Sequence, residues 1–412
     1  MYRLRIYMAA QLLLLLVLTA FSAQALEGDV TLEQALERFY AYNYDILISK
    51  YDIDKSYGDF ITAKLRPNPN FSFNYIGLSP KDGSTDNSQL TARLDQLIEL
   101  GGKRRLRTEY AKQTLEAAKL THDDVIRTVL IGFYTSFFTL NLDRLDLMLA
   151  QDELKRYDRI LVIGNKRYGA GFLTAIDFTK LKLGRVDLET SLATTQNQYN
   201  NDLDQFSALL GEEKPLRSVM LQVNEAYTEY GEENLLAIAY ENRFDLLSLQ
   251  KQLEAAKHNV SLSKALAIPD ITVGAEYDSF APKYDSTVGF GFSIPFPVFD
   301  RNQGDIYRKS AEYRQIAVQI DKTRRQVVSD IRQALNNYSS SYEIFASYKD
   351  KKIEIDSLFA NTEKAFSMGG ITVLDLIDTE KMHAGFMKEY NKALTNFNLN
   401  RDLIKLYTGE MK

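Results

Sequence analysis

The chain has 412 residues, a formal charge of −5 at neutral pH, no cysteine and no tryptophan. Without cysteine there is no disulfide, no thiolate metal site and no attachment point for an N-terminal lipid. The mildly acidic balance makes the chain a poor nucleic-acid binder.

Arg3 and Arg5, the apolar run 12–18 and the small-residue site Ala23-Gln24-Ala25 read as an export signal over residues 1–25, cleaved before Leu26. A retained transmembrane helix is the rival, but the run falls short of the ~20 residues that a span needs. No later stretch has 18 consecutive apolar residues. An exported chain of this kind is either soluble or crosses a membrane as strands.

The mature chain says nearly the same thing twice. Gly171, Thr174, Asp177 and Gly211 recur 198 positions later as Gly369, Thr372, Asp375 and Gly409. Tyr44-Asp45 and Pro69 recur 200 positions later as Phe244-Asp245 and Pro269. Solenoids repeat every ~20–50 residues, so two domain-sized repeats are expected, over 26–213 and 214–412.

In chain order, a helix is predicted over 31–65, with Thr31 as N-cap, Gln34 three residues on, and Pro67 and Pro69 as the stop. Phe71, Phe73 and Tyr75 then alternate with Asn70, Ser72 and Asn74, and Leu90, Ala92 and Leu94 alternate with Thr91, Arg93 and Asp95. These predict two strands around a polar loop at 78–87. A proline-free helix follows over 102–163, ~90 Å long at 1.5 Å per residue. Its heptad-like seam runs through Ile126, Leu130, Phe133, Phe137, Leu140, Leu147 and Leu154. Gly169 and Gly171 turn the chain into a return helix over 174–210. The second half repeats the plan: a helix at 234–267, strands on Ile271, Val273, Ala275, Tyr277 and Val288, Phe290, Phe292, a loop at 279–285, a helix over 305–365, a turn at Gly369-Gly370 and a helix over 372–407. The fold class expected is mainly α with a small β part.

Alternation alone fits two readings, hairpins capping a soluble bundle or strands of an outer-membrane barrel. Four matching strands of ~8–10 residues in an exported chain favour the barrel. Four strands do not close one, because known membrane barrels begin at ~8. Copies of the chain must then assemble, and twelve strands from three chains is the preferred count.

The duplicated plan, the junction Leu94-Asp-Gln-Leu-Ile-Glu-Leu-Gly-Gly-Lys-Arg105, its counterpart running from Ile294 to Gly304, and the two glycine tips together resemble the TolC family of outer membrane efflux channels, across essentially all of the mature chain. The Gly-Gly-Lys-Arg junction looks most like the heavy-metal efflux branch. The resemblance implies a homotrimer in the outer membrane of a Gram-negative bacterium: a twelve-strand β-barrel in the lipid, continued by a periplasmic α-helical coiled-coil tunnel. It implies a periplasmic adaptor and an inner-membrane pump as partners, with Gly169, Gly171, Leu173, Gly369, Gly370 and Ile371 at adaptor-contact tips. It also implies an acidic gate at Asp375 and Asp378, on one helix face, matched in the first repeat by Asp177 with Lys180 as its ion-pair partner. A gate-locking arginine and tyrosine found in some members match Ile371 and Phe366 here, so any closed-state lock must differ. Lys103, Arg104 and Arg105, with Arg107, form a basic cluster where the strand enters the long helix; it reads either as a belt touching lipid phosphates or as a solvated helix face.

His122, His258 and His383 sit apart on separate helices, and Gly169-Ala170-Gly171 lacks the third glycine and preceding strand of a dinucleotide site. No enzyme, cofactor, metal site or nucleic-acid partner is expected. The competing function is a soluble periplasmic coiled-coil scaffold or adaptor; a protein or polysaccharide exporter of the same architecture is a third reading.

Overall fold

A computed structural model of the chain describes residues 29–78, 87–212, 216, 218–220, 223–281 and 285–411. The expected signal at 1–25 and most of the two strand-connecting loops lie outside the described residues.

The elements run β1 (Asp29–Thr31), α1 (Leu32–Tyr42), α2 (Tyr44–Lys64), β2 (Asn70–Leu78), β3 (Asn87–Ile98), α3 (Lys103–Gly169), α4 (Ala175–Leu209), β4 (Ser218–Met220), α5 (Glu232–Asn242), α6 (Phe244–Leu266), β5 (Ile271–Ala281), β6 (Thr287–Ser293), α7 (Gln303–Met368) and α8 (Val373–Thr408). They form two compact units. The first takes in the chain through Asp45, Val129–Tyr230 and Gln333–Leu406; the second Ile46–Thr128, Gly231–Arg332 and the chain from Tyr407. Each unit draws on both repeats.

The second unit carries a four-stranded antiparallel sheet in the order β2-β3-β5-β6. Its register aligns Phe73 with Ala92, Ala92 with Tyr277 and Tyr277 with Val288, and one step along, Phe71, Leu94, Ala275 and Phe290. Directly paired residues share a face, so every apolar residue of the alternating pattern falls on one side. That side is bare: Phe71, Phe73, Tyr75, Val288 and Phe292 are all exposed, and Phe290 is 86% exposed. The other side is a polar network. Arg93 bonds Asp95 at 2.8 Å and Glu276 at 3.1 Å, while Asp278 accepts from Thr91 at 2.5 Å and Gln89 at 3.1 Å.

The first unit is a helical bundle with an aromatic core from each repeat. Phe39 of α1, Phe133 of α3 and Phe206 of α4 meet at 4.8 and 5.5 Å between ring centroids. Tyr338 and Phe345 of α7 stack on Phe397 of α8 at 5.5 and 5.7 Å. A short parallel pairing of β1 with β4, not foreseen in the sequence, adds Val30 and Val219 to the buried set.

Two expectations need correction. The helices at 31–65 and 234–267 are each two helices. Asn43, with ψ 122°, ends α1, and its Oδ1 accepts from the Asp45 N–H at 3.0 Å, opening α2. Arg243, with ψ 115° and 3% exposed, does the same between α5 and α6, forking onto Asp245 and Asp330 at 2.6 Å each. The seam of α3 also departs from the leucine register below Leu147. Ala150, Glu153, Tyr157 and Ile160 are the buried positions, and Leu154 is only half-buried.

Candidate functional site

Both helix hairpins of the first unit turn through a glycine in the left-handed region, Gly171 at φ 78° and Gly369 at φ 82°. Around each, two crossed backbone bonds close the helix end. Gly171 N–H donates to Tyr168 O at 3.0 Å and Phe172 N–H to Arg167 O at 2.9 Å; Gly369 N–H donates to Phe366 O at 3.0 Å and Gly370 N–H to Ala365 O at 2.9 Å. A side chain in this conformation costs roughly 1–2 kcal/mol, which is why glycine is found there twice.

The return helices begin on matched caps. Thr174 Oγ1 accepts from the Asp177 N–H at 3.1 Å and donates to Asp177 Oδ2 at 2.8 Å. Thr372 repeats both bonds with Asp375, at 3.2 and 2.7 Å, and its own N–H adds a third to the carboxylate at 3.0 Å. These bonds from Thr372 hold the Asp375 carboxyl below its ordinary range. Asp177 is held low by Thr174 and then by Lys180, whose Nζ lies 3.3 Å from its Oδ1. Asp375 is therefore part of the helix cap, whereas Asp378, one turn on, is exposed and makes no cap bond.

Tyr157 and Ile160 of α3, Leu181 of α4, Phe366 of α7, and Val373 and Leu376 of α8 form one buried cluster next to the turns, with Leu173 and Ile371 packed against it. Leu173 and Ile371 are thus half-buried, while Gly169, Gly171, Gly369 and Gly370 are exposed. The outward apolar residues of the tips are Phe172, Ile176, Met368 and Leu374, at 76, 71, 72 and 56% exposure. The sequence pattern held a signal for these: an apolar side chain beside a glycine turn has no second layer to bury it. Arg167 ties the two tips together. Its Nη1 donates to Phe366 O at 2.8 Å, and its guanidinium lies 4.8 Å from the Phe366 ring centroid. With isoleucine at 371, this arginine on the opposite hairpin is the polar fastener at the tips.

Above the cluster, core positions of the bundle are acidic. Glu153 and Glu380 are 3% and 8% exposed, and Tyr157 is 1% exposed. Neither Glu153 Oε1 nor Tyr157 Oη has a hydrogen-bond partner among the described residues. Burial and then the charge of Glu153 push the Glu380 carboxyl up to about 8. Burial also raises Glu153 and, with Asp202 as a second cause, takes Asp143 to about 7.

The basic cluster in the second unit is not uniform. Lys103 is buried, with Nζ 2.7 Å from Asp270 Oδ1, so it does not belong to a solvent- or lipid-facing belt. Arg104 and Arg105 are exposed; Arg107 is half-buried and bonds Glu99 at 2.6 Å and the Ala63 carbonyl at 3.2 Å. Two of the three histidines have partners: His122 Nδ1 lies 2.7 Å from Ser49 Oγ, and His383 Nε2 lies 3.0 Å from Asp356 Oδ1. Among the described residues no three His, Cys, Asp or Glu side chains converge to hold a metal.

The sequence profile of the family described as outer membrane efflux protein matches residues 66–212 and 235–409. The cobalt-zinc-cadmium resistance protein CzcC of Cupriavidus metallidurans is 24% identical over 357 residues, covering 86% of this chain and 84% of CzcC. The outer membrane protein TolC of Escherichia coli is 22% identical over 323 residues, covering 71% of this chain and 63% of TolC. Among solved structures, CusC, described for its folding and transmembrane channel formation, superposes with a TM-score of 0.78 at 14% identity, covering 92% of this chain and 91% of CusC.

Proposed function

The chain belongs to the outer membrane efflux protein family, and we propose that it is one subunit of a trimeric exit duct that passes substrates delivered by an inner-membrane pump through a periplasmic adaptor. The observation that carries this is the sheet. It has an exposed apolar face, a charged opposite face, and two edges, β2 and β6, without a further strand among the described residues. In lipid, an open edge leaves backbone N–H and C=O groups unpaired at several kcal/mol each, so a sheet with this face must be closed by other copies. The apolar face suits lipid and the Arg93, Glu276, Asp278 face a water-filled lumen.

The helices then form the periplasmic tunnel, with Phe172, Ile176, Met368 and Leu374 as the apolar points offered to the adaptor. The gate charge belongs to Asp378, reinforced by Asp375, whose carboxylate also caps its helix. Three copies bring six carboxylates together, favouring cations over anions. The likeness to CzcC, which extends over most of both chains, supports heavy-metal cations as the substrate class, with selectivity residing in the pump. The test is mass in detergent. Protein extracted from outer membranes should measure three chains and fall to one on heating, whereas a monomer recovered from the soluble periplasmic fraction would refute the proposal.

A further inference from the structure

Three arginines are gathered in one cavity of the second unit and left without an acid. The cavity, of about 930 Å³, lies where β3 passes into α3, beside the end of α2. Lys64, Arg66, Arg104 and Arg105 line it, and all are exposed. Among the described residues no carboxylate pairs with Arg66, Arg104 or Arg105. The two acids in the lining do not balance these charges. Glu99 is committed to Arg107 at 2.6 Å, which leaves Glu109 against four cations. The chain as a whole is acidic, so this positive charge is a local concentration.

The fold of the junction does not require it. Gly102, at φ 71°, and Asn302, at φ 59°, each immediately precede a long helix, so the same junction occurs again 200 residues later. There Arg66, Arg104 and Arg105 are replaced by Leu266, Gly304 and Asp305. The cavity at that second junction is lined by Leu266, Phe296 and Phe299, and Asp300 is the one charged residue in its lining. The cations therefore serve something other than the strand-to-helix turn.

Their position indicates what they face. Leu94 pairs with Phe71 on the apolar side of the sheet, and alternation along β3 puts Gln96 and Ile98 on that side too. Both line the cavity, and Ile98 is exposed. The apolar face thus runs off its end into the cationic cavity. With lipid against that face, hydrocarbon ends near Ile98, and the phosphate layer comes level with the arginines. A guanidinium pairs with phosphate through two parallel N–H bonds, and a basic pocket bordering a membrane-spanning surface suits an anionic headgroup. The volume falls in the ~300–1,000 Å³ range of ligand sites.

We propose that this cavity binds the phosphate of an anionic phospholipid, held by Arg66, Arg104 and Arg105, with the acyl chains laid along Ile98 and Leu94. This rests on the sheet lying in the outer membrane, as proposed above, and adds a specific ligand at its edge. Lys103, buried on Asp270, takes no part.

The test uses full-length protein purified from outer membranes and stripped of lipid by detergent exchange. Native mass spectrometry counts the dioleoylphosphatidylglycerol retained per chain, with dioleoylphosphatidylcholine and inorganic phosphate as parallel probes. Arg66→Gln, Arg104→Gln and Arg105→Gln are made singly and together. Arg314→Gln, Arg324→Gln and Arg325→Gln together, all exposed on α7, control for lost charge. The wild type and the control should hold one phosphatidylglycerol per chain in preference to phosphatidylcholine. Each cavity substitution should weaken that binding on the order of tenfold, and the triple variant should lose the preference. Without lipid the triple variant should unfold at the wild-type temperature, since none of the three arginines is paired. Added phosphatidylglycerol should raise that temperature in the wild type alone. Equal retention by the wild type and the triple variant, or inorganic phosphate competing as well as the lipid, overturns the lipid site and leaves the channel reading standing. Protein recovered as a soluble monomer overturns both.

Discussion

Replacing Glu380 with glutamine should strengthen the bundle of the first unit, against the usual expectation for changing a buried residue. Glu380 sits in the core on α8, 8% exposed, and its carboxyl is pushed from 4.5 up to about 8, first by burial and then by Glu153. Arg156 and Lys381 pull the other way without cancelling the burial. Around Glu153 the facing groups are Lys388, Arg156 and Asp146. A carboxyl raised in the folded state holds a proton that the separated helices release. Its penalty is therefore absent below pH ~4.5 and grows as pH rises toward ~8, reaching about 5 kcal/mol in full and about 3 kcal/mol at pH 7. Glutamine is the permanently neutral isostere and removes that slope. The assay is hydrogen exchange of amides in α8, corrected for intrinsic rates. Protection should fall more steeply between about pH 5 and 7 in the wild type than in Glu380→Gln, by a further factor on the order of 50 to 100. The remaining slope of the variant comes from the other raised carboxyls, Asp143 and Glu153, and the variant is the better protected at pH 7. A variant that keeps the wild-type slope, or is less protected at pH 7, refutes the reasoning.

Asp378→Asn should weaken cation selectivity in planar bilayers with little change in thermal stability. Asp375→Asn should combine a smaller selectivity loss with a small drop in the melting temperature of the same samples, because the charged carboxylate that accepts from Thr372 is lost. Gly369→Ala forces a side chain into φ 82° and should cost roughly 1–2 kcal/mol, visible as a lower unfolding midpoint in denaturant. Arg243→Met leaves Asp245 and Asp330 without the guanidinium that joins them, and should destabilise by about 3–5 kcal/mol in the same titration. Adding Asp245→Asn should recover part of that loss.

Much of this molecule is local in origin and hence legible in the sequence. The glycine turns followed by Thr-x-x-Asp declare their own geometry, because the cap at Thr174 or Thr372 is completed within four residues. The strands declare their faces because alternation in Phe71–Tyr75 and Val288–Phe292 survives any choice of partner. Breaks set by distant groups are invisible. Asn43 and Arg243 are neither glycine nor proline, and the bend at Arg243 is held by Asp330, 87 residues further on. The β1–β4 pairing depends on a contact across both hairpins of the first repeat. Lys103 looked like one of four equivalent cations because its partner, Asp270, belongs to the other repeat. The acidic core positions are masked in the sequence by Leu147 and Leu154, which mark one seam, while the structure buries Glu153 and Tyr157 on the adjacent one. The apolar tip residues were legible in principle, since no hairpin of two helices can cover a side chain beyond its own turn.

The sheet should become a closed wall only when copies join. Single-channel recording on detergent-purified protein in planar lipid bilayers tests this directly. Discrete, uniform conductance steps are expected from the oligomer, lost when heating reduces it to single chains. A stable oligomer that leaves the bilayer silent, or steps that persist from the heated monomer, would contradict it.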